Sequence, residues 1–295
     1  MPGITLLEVP QWQGSGSPGA HRLRRGAAEL AGLFPGTARV RVATDGMPTR
    51  RRDGVVALDT LVANLRAIRA ACADVRSDGR MLLTIGGDCG VDVAPVESAL
   101  AQHGDRLAVV WFDAHADLNT PASSPSGAFH GMVLRTLLGA GPPELAPVRT
   151  LRPEQVVLAG VRALDPDERR FLAEQSIRHV PPSGFADPTA LTDEVAATGA
   201  NAVYLHIDLD VLDPDEFDAV GTPEPGGLTR HQLVDSVRAL AARFAIAGVC
   251  VCEYESDGSR HPELLTELAG TLRTVLDGRT AETGTPTRRT DERDR

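Results

Sequence analysis

Lysine is absent: all 30 basic residues among the 295 are arginine, set against 40 acidic ones for a net charge of −10. We read the missing lysine as coding bias. The acidic balance argues against nucleic acid and anionic membranes as partners. Cysteine is scarce, with only Cys72, Cys89, Cys250 and Cys252. So few thiols make no disulfide framework and suit a reducing cytoplasm. The opening residues MPGITLLEVPQW carry no basic segment followed by a long apolar core, so no secretory signal is expected. No apolar run is long enough to cross a bilayer. There is no internal repeat, and no composition break before residue 278. We therefore expect one domain over residues 1–278, and a polar, aperiodic, disordered tail over 279–295.

What is present is ordinary globular material, 42% apolar and 24% charged, enough for a sizeable core. Short apolar runs predict strands at Thr5–Val9, Ala38–Ala43, Met81–Ile85, Leu107–Phe112, Gln155–Ala159, Ile177–Val180, Ala202–Ile207 and Ala245–Cys252. Helical patterns fall between them, at His21–Leu33, Val56–Val75, Val91–Gln102, Gly131–Leu138, Pro166–Glu174, Pro188–Thr198, Arg230–Arg243 and Pro262–Leu276. In the second of these, Leu58, Leu61, Val62, Leu65 and Ile68 recur at helical spacing. Runs such as LAVVWF are apolar without alternation, as expected of parallel strands covered on both faces. Strand–helix alternation predicts a doubly wound α/β fold.

In such sheets ligands bind beyond the carboxyl ends of the strands. Four predicted strands run into unusual chemistry there: GGDCG (86–90), DAHAD (113–117), HIDLDVLDP (206–214) and CEYESDG (252–258). In an extended strand Asp113, His115 and Asp117 share a face. Asp208 and Asp210 repeat the spacing. Each motif alone is commonly a solvated turn or a helix cap. Two buried carboxylate clusters without a positive charge would cost several kcal/mol, roughly the penalty of a desolvated ion. A pair of divalent metals supplies that charge. Carboxylates plus imidazole suit Mn²⁺, Zn²⁺ or Fe²⁺, and two ions about 3.5–4 Å apart ready a water for attack at neutral pH.

Taken in order, GGDCG, WFDAHADLNTP, SGAFHGM, HIDLDVLDP, GTPEPGGLT and the late Glu253 resemble the ureohydrolases, the arginase–agmatinase family, over residues 82–258. The resemblance implies a three-layer α/β/α sandwich with a mainly parallel eight-stranded sheet. It implies two divalent ions, Mn²⁺ first, hydrolysing a guanidino group to urea and an amine. Carried over by position, Asp113 and Asp208 would bridge the ions, Asp117 would bind the first, and His115 and Asp210 the second. His130 would pass a proton to the leaving amine, with Asp117 as its rival. Glu253 would hold the guanidinium, with Glu255 close enough to be confused with it. Family members are usually trimers or hexamers, so a homo-oligomer is expected.

The remaining ligand of the first ion is a histidine in the family pattern and Cys89 here. A thiolate is soft and anionic, which predicts weak Mn²⁺ binding at that position, or a preference for Zn²⁺ or Fe²⁺. Alternatively Cys89 is a small buried thiol beside a single ion. Relatives that hydrolyse Nω-hydroxyarginine also place a cysteine there. For the far end of the substrate, the resemblance assigns Asn119 and Ser126 to an α-carboxylate, Asp165 to an α-amino group, and Thr222 to the pocket wall. Ala128 departs from an asparagine often found beside them. His206, alternating with Asp208, is read as packing or supporting rather than ligating. Cys250 and Cys252 are read as core.

The reading is thus a small-molecule amidinohydrolase acting on arginine or Nω-hydroxyarginine. Alternatives are agmatine, a guanidino acid or formiminoglutamate. From another class comes a metal-poor, non-catalytic binding protein, which Cys89 alone supports.

Overall fold

The computed structural model describes residues 3–44, 46–258 and 262–278; the expected tail at 279–295 lies outside the described residues. The strands are β1 (Ile4–Val9), β2 (Ala38–Arg41), β3 (Met81–Gly86), β4 (Leu107–Phe112), β5 (Val156–Ala159), β6 (Arg178–Val180), β7 (Ala202–Asp208) and β8 (Ala245–Cys252). They form one sheet in the order β2-β1-β3-β8-β7-β4-β5-β6, with every pairing parallel. The sheet is therefore wholly rather than mainly parallel. No helix of the described residues is long and apolar enough to cross a membrane.

The helices are α1 (Leu23–Gly32), α2 (Leu58–Ser77), α3 (Val93–His103), α4 (Val133–Leu137), α5 (Pro166–Gln175), α6 (Ala190–Ala197), α7 (Arg230–Arg243) and α8 (Pro262–Leu276). Strand β4 shows why three layers result. Leu107, Val109 and Trp111 enter one apolar cluster with α2, α3 and α4; Ala108, Val110 and Phe112 enter a second with α1, α6, α7 and α8. A strand with no polar alternation has no face to give to water, so it must be covered twice. At one edge, β2 is exposed throughout, and it ends at Arg41, short of the expected Ala43. Its Arg39 and Arg41 reach the buried carboxylate of Glu8 on β1, Arg41 at 3.0 Å. Charged side chains on an edge also discourage pairing with another sheet.

Two helices begin later than the apolar pattern suggests, because short turns intervene at Cys89–Asp92 and His130–Met132. The first turn is capped by the Asp88 carboxylate, which accepts from Gly90 N–H at 2.9 Å. The capping residue is thus the one that delivers Cys89 to the end of the strand.

β3 and β4 are consecutive in the chain yet separated in the sheet by β8 and β7. The four strands that carry the unusual chemistry are therefore the four central ones. Gly87 makes the crossing possible. Its N–H donates to Val9 and its carbonyl accepts from Glu253 N–H, at 2.9 and 2.8 Å. A Cβ there would stand 1.5 Å from the Gln11 carbonyl oxygen. Backbone cannot yield like a side-chain tip, so Gly87→Ala should cost more than about 3 kcal/mol. A thermal melt checks this; an unchanged Tm would show that β1 and β3 need not approach so closely.

Candidate metal centre

β4 stops at Phe112, and residues 113–117 leave it as a loop rather than an extended strand. The expected strand alternation therefore does not arrange DAHAD. The loop does so through its own N–H groups: His115 N–H donates to Asp113 Oδ1 at 2.6 Å, and Ala114 N–H to Asp210 Oδ1 at 3.0 Å. Likewise β7 ends at Asp208, and a turn over Leu209–Val211 carries Asp210. Asp208 Oδ1 caps that turn through Asp210 N–H at 2.7 Å. Arg162 pins the following loop, donating to the carbonyl oxygens of Asp210, Leu212 and Glu224 at 2.9, 3.1 and 2.7 Å.

Several donor sets result among the described residues, and two of them share Asp113. In one, Asp113, His115 and Asp210 offer ligand atoms within 4.8 Å of one another; in the other, Cys89, Asp113, Asp117 and His206 do so. Asp113 belongs to both. His115 Nδ1 lies 3.0 Å from Asp210 Oδ2 and 3.4 Å from Asp113 Oδ1. Thr222 Oγ1 donates to Asp210 Oδ2 at 3.1 Å. Cys89 Sγ is 3.1 Å from Asp208 Oδ2. All of the expected ligand residues thus meet in one place.

Asp117 and Glu253 stand at φ +52° and +61°. Non-glycine residues in that region cost on the order of 1–3 kcal/mol each and gather at functional sites. Glu253 Oε1 accepts from Cys89 N–H at 3.0 Å and lies 3.3 Å from His130 Nδ1. Glu255, the alternative, sits elsewhere, against Gly19 and Gly221. On its other side, His130 Nε2 accepts from Gly16 N–H at 3.3 Å.

The charges conflict. Burial, then the charge of Asp210, pushes Asp113 up to about 6. Burial and the neighbouring aspartates push Asp117 and Asp208 well above their ordinary range. Burial opposes a charged His115, yet Asp113 and Asp210 hold its proton up to about 12. Burial also works against Asp210, but His115 brings it down to about 2. Burial opposes protonation of His130, while Glu253 raises its pKa. A proton on His115 is thus the positive charge that this cluster recruits for itself.

The residues fit a cation pair better than a proton. Asp117 Oδ2 is buried with no hydrogen-bond partner, aimed among acids that a divalent ion would satisfy together.

A cavity of about 590 Å³ opens over the cluster. Its wall includes Asn119, Ser126, Asp165 and Thr222, the four residues expected at the substrate's far end, whereas Asp113 and Glu253 do not line it. Asp165 precedes α5 and accepts from Asn119 Nδ2 at 2.8 Å; Glu168 returns to Asp165 N–H at 2.9 Å. Ser126 Oγ accepts from Ala128 N–H at 3.1 Å. Sequence reasoning did not single out one residue of the cavity wall. Arg169 lines the cavity, and its guanidinium meets the Leu164 carbonyl at 3.4 Å. No pattern marked it out from other helix arginines. His206, read from the sequence as packing or supporting, is held by Asp92 and Trp111 and also falls within a donor set.

A family profile described as the arginase family matches residues 17–267. An arginase of Staphylococcus aureus (strain MRSA252) is 32% identical over 251 residues, covering 78% of this chain and 82% of that protein. An arginase of Bacillus caldovelox is 38% identical over 190 residues, 59% of this chain and 63% of that protein. The solved structure of the Bacillus caldovelox arginase superposes with a TM-score of 0.79 at 27% identity, covering 94% of this chain and 98% of that one.

The carboxylate cluster sets a pH dependence. Asp113 and Asp88 each titrate near 6 in the fold, against an ordinary 3.8. Between those values the folded state holds more protons than the unfolded chain, so stability falls as pH rises from about 4 to about 6. A bound divalent ion needs the Asp113 carboxylate ionised and removes that part of the penalty. The Tm difference between Mn²⁺-loaded and chelated protein should therefore widen across that window. A constant difference in scanning fluorimetry would mean that the ion is not held by this cluster.

Proposed function

Since the chain belongs to the arginase family, we propose that it hydrolyses the terminal C–N bond of a guanidino amino acid, arginine foremost, to urea and an amine-bearing amino acid. One observation carries the reading: two donor sets sharing Asp113 lie beside a cavity walled by Asn119, Asp165 and Thr222. We assign Asp113, Asp117, Asp208 and Cys89 to the first ion, and Asp113, His115, Asp208 and Asp210 to the second, with Mn²⁺ at the oxygen-rich second position. When bound, such ions make water acidic enough to attack at neutral pH.

The chain's own residues do the rest. Glu253, whose Oε1 is engaged by Cys89 N–H and His130 just behind the cavity wall, is assigned to hold the planar guanidinium by charge-assisted hydrogen bonds. His130 is pulled toward the charged form by Glu253 and toward the neutral form by Gly16 N–H at Nε2. A ring between opposing influences can take up a proton and give it to the leaving amine. Asp117, with its unpartnered Oδ2, is the second proton carrier. Asp165, steadied by Asn119, receives an α-ammonium. Ser126 and Arg169 face an α-carboxylate. Homo-oligomerisation and a reducing cytoplasm belong to the same reading.

Nω-hydroxyarginine is the second reading, motivated by Cys89. Its oxygen withdraws electrons from the guanidino carbon, which suits a first ion polarised less strongly beside a thiolate.

The test is urea release with Mn²⁺ present, from arginine, Nω-hydroxyarginine (read as hydroxyurea), agmatine, guanidinobutyrate and formiminoglutamate (read as formamide). Arginine should lead. His130→Ala should lower kcat by about 10²–10⁴-fold. Arg169→Ala should raise KM for arginine, while agmatine, which lacks the carboxylate, is unaffected. Agmatine outpacing arginine would sink the amino-acid reading. A metal-loaded protein that turns over none of the panel would be the non-catalytic relative.

A further inference from the structure

Besides the carboxylates of Asp208 and Glu253, at 3.1 and 3.5 Å, the sulfur of Cys89 has two soft neighbours. Cys252 Sγ lies 3.9 Å from Cys89 Sγ, and His206 Nε2 lies 3.7 Å from Cys252 Sγ. All three ligand atoms fall within 4.8 Å of one another, and all three residues are buried. A tetrahedral zinc with bonds of about 2.3 Å to sulfur and 2.0–2.1 Å to nitrogen has sulfur–sulfur edges of about 3.8 Å and sulfur–nitrogen edges of about 3.6 Å. The Cys89–Cys252 and Cys252–His206 separations are those edges to within about 0.2 Å.

His206 is held as a ligating histidine is held. Its Nδ1 meets Asp92 Oδ2 at 2.8 Å, which turns Nε2 toward the sulfurs. Its ring stacks on Trp111 at 3.4 Å between centroids and 5° between planes, so the imidazole cannot swing away. A carboxylate behind an imidazole fixes the tautomer and raises the basicity of the free nitrogen. The strand register does the positioning. His206 on β7 lies opposite Cys250, and Asp208 opposite Cys252, so His206, Asp208 and Cys252 present one face beside Cys89. Cys89 and His206 also belong to the set with Asp113 and Asp117, whose unpartnered Oδ2 is available as a fourth ligand.

We propose that Cys89, Cys252 and His206 form a thiolate–imidazole site for a zinc-like divalent ion at the first metal position, with Asp92 as its positioning residue. The centre is then heterometallic: a soft ion on sulfur and nitrogen, and a hard ion on Asp113, His115 and Asp210. His206 supplies, from β7 on the far side of β8, the imidazole missing at residue 89. The proposal rests on the two-ion reading above and, at the first ion, keeps Cys89 and Asp117 and puts Cys252 and His206 in place of Asp113 and Asp208.

X-ray absorption on the intact zinc-loaded protein counts the neighbours without any substitution. We expect two sulfur scatterers at about 2.3 Å with nitrogen or oxygen making up the rest. Co²⁺ loading should give a thiolate-to-metal charge-transfer band of two-thiolate intensity, roughly halved in Cys252→Ser. In His206→Gln, Zn²⁺ affinity should fall by more than the 10–100-fold typical of lost supporting contacts. Asp210→Asn should keep the band while losing the Mn²⁺ equivalent. One sulfur or none around zinc, or a Cys89–Cys252 disulfide in the isolated protein, overturns this proposal. Where two oxygen-ligated ions still bind, the two-ion reading stands without it. No metal bound at either position would remove both.

Discussion

Mutual repulsion among buried carboxylates is the constraint on which the site depends. Asp113, Asp117, Asp208 and Asp210 are all buried at the ends of two adjacent strands. Left to themselves they compete for protons, and the cluster keeps one on His115 far above the usual imidazole range. Positive charge from outside resolves the conflict better than shared protons, because a divalent ion satisfies several oxygens at once. The fold accepts this local disadvantage because its sheet is covered on both faces and central strands cannot separate cheaply. Asp117 and Glu253 add backbone strain at the same place. Strain and like charge both persist only where the surrounding packing overrides them.

The glycines and the charges explain each other. Gly87 lets β3 pass against Gln11, and that passage brings Glu253 N–H to the Gly87 carbonyl. From there the Glu253 carboxylate reaches Cys89 N–H and His130. One residue without a side chain thus sets the distances among a carboxylate, a thiol and an imidazole drawn from three separate segments. The Asp88 carboxylate accepts from Gln11, Gly14 and Gly90. It serves as a clasp on the loop rather than as a donor to an ion.

Much of this was legible in the chain. Apolar runs such as LAVVWF announced a sheet with two covered faces, and paired acids at strand ends announced a charge problem that only a cation solves. Less legible was how the acids come together. Alternation suggested an extended DAHAD, whereas the strand ends at Phe112 and loop N–H groups set the geometry. Periodicity describes regular backbone and is silent about turns. His206 shows a second gap. Its spacing from Asp208 fixed its face, but its partners come from the turn after β3, from β4 and from β8, and strand order is a long-range property that no local window contains. Arg169 was invisible for the same reason, since only the folded cavity distinguishes it from Arg170 on the same helix.

Strand order also bears on how the molecule is made. β8 follows every other strand in the chain, yet it lies between β3 and β7 at the middle of the sheet. During synthesis the two halves of the sheet, β2-β1-β3 and β7-β4-β5-β6, are translated with a slot between them. Each half presents an unpaired apolar edge until some 250 residues have emerged. Closing the slot joins segments far apart in sequence, the slow kind of step, and the open edges invite association while it waits. Glu253 and Cys252 arrive with that last strand. The nascent protein therefore cannot bring Cys89 and Glu253 up to its acidic cluster until the sheet has closed.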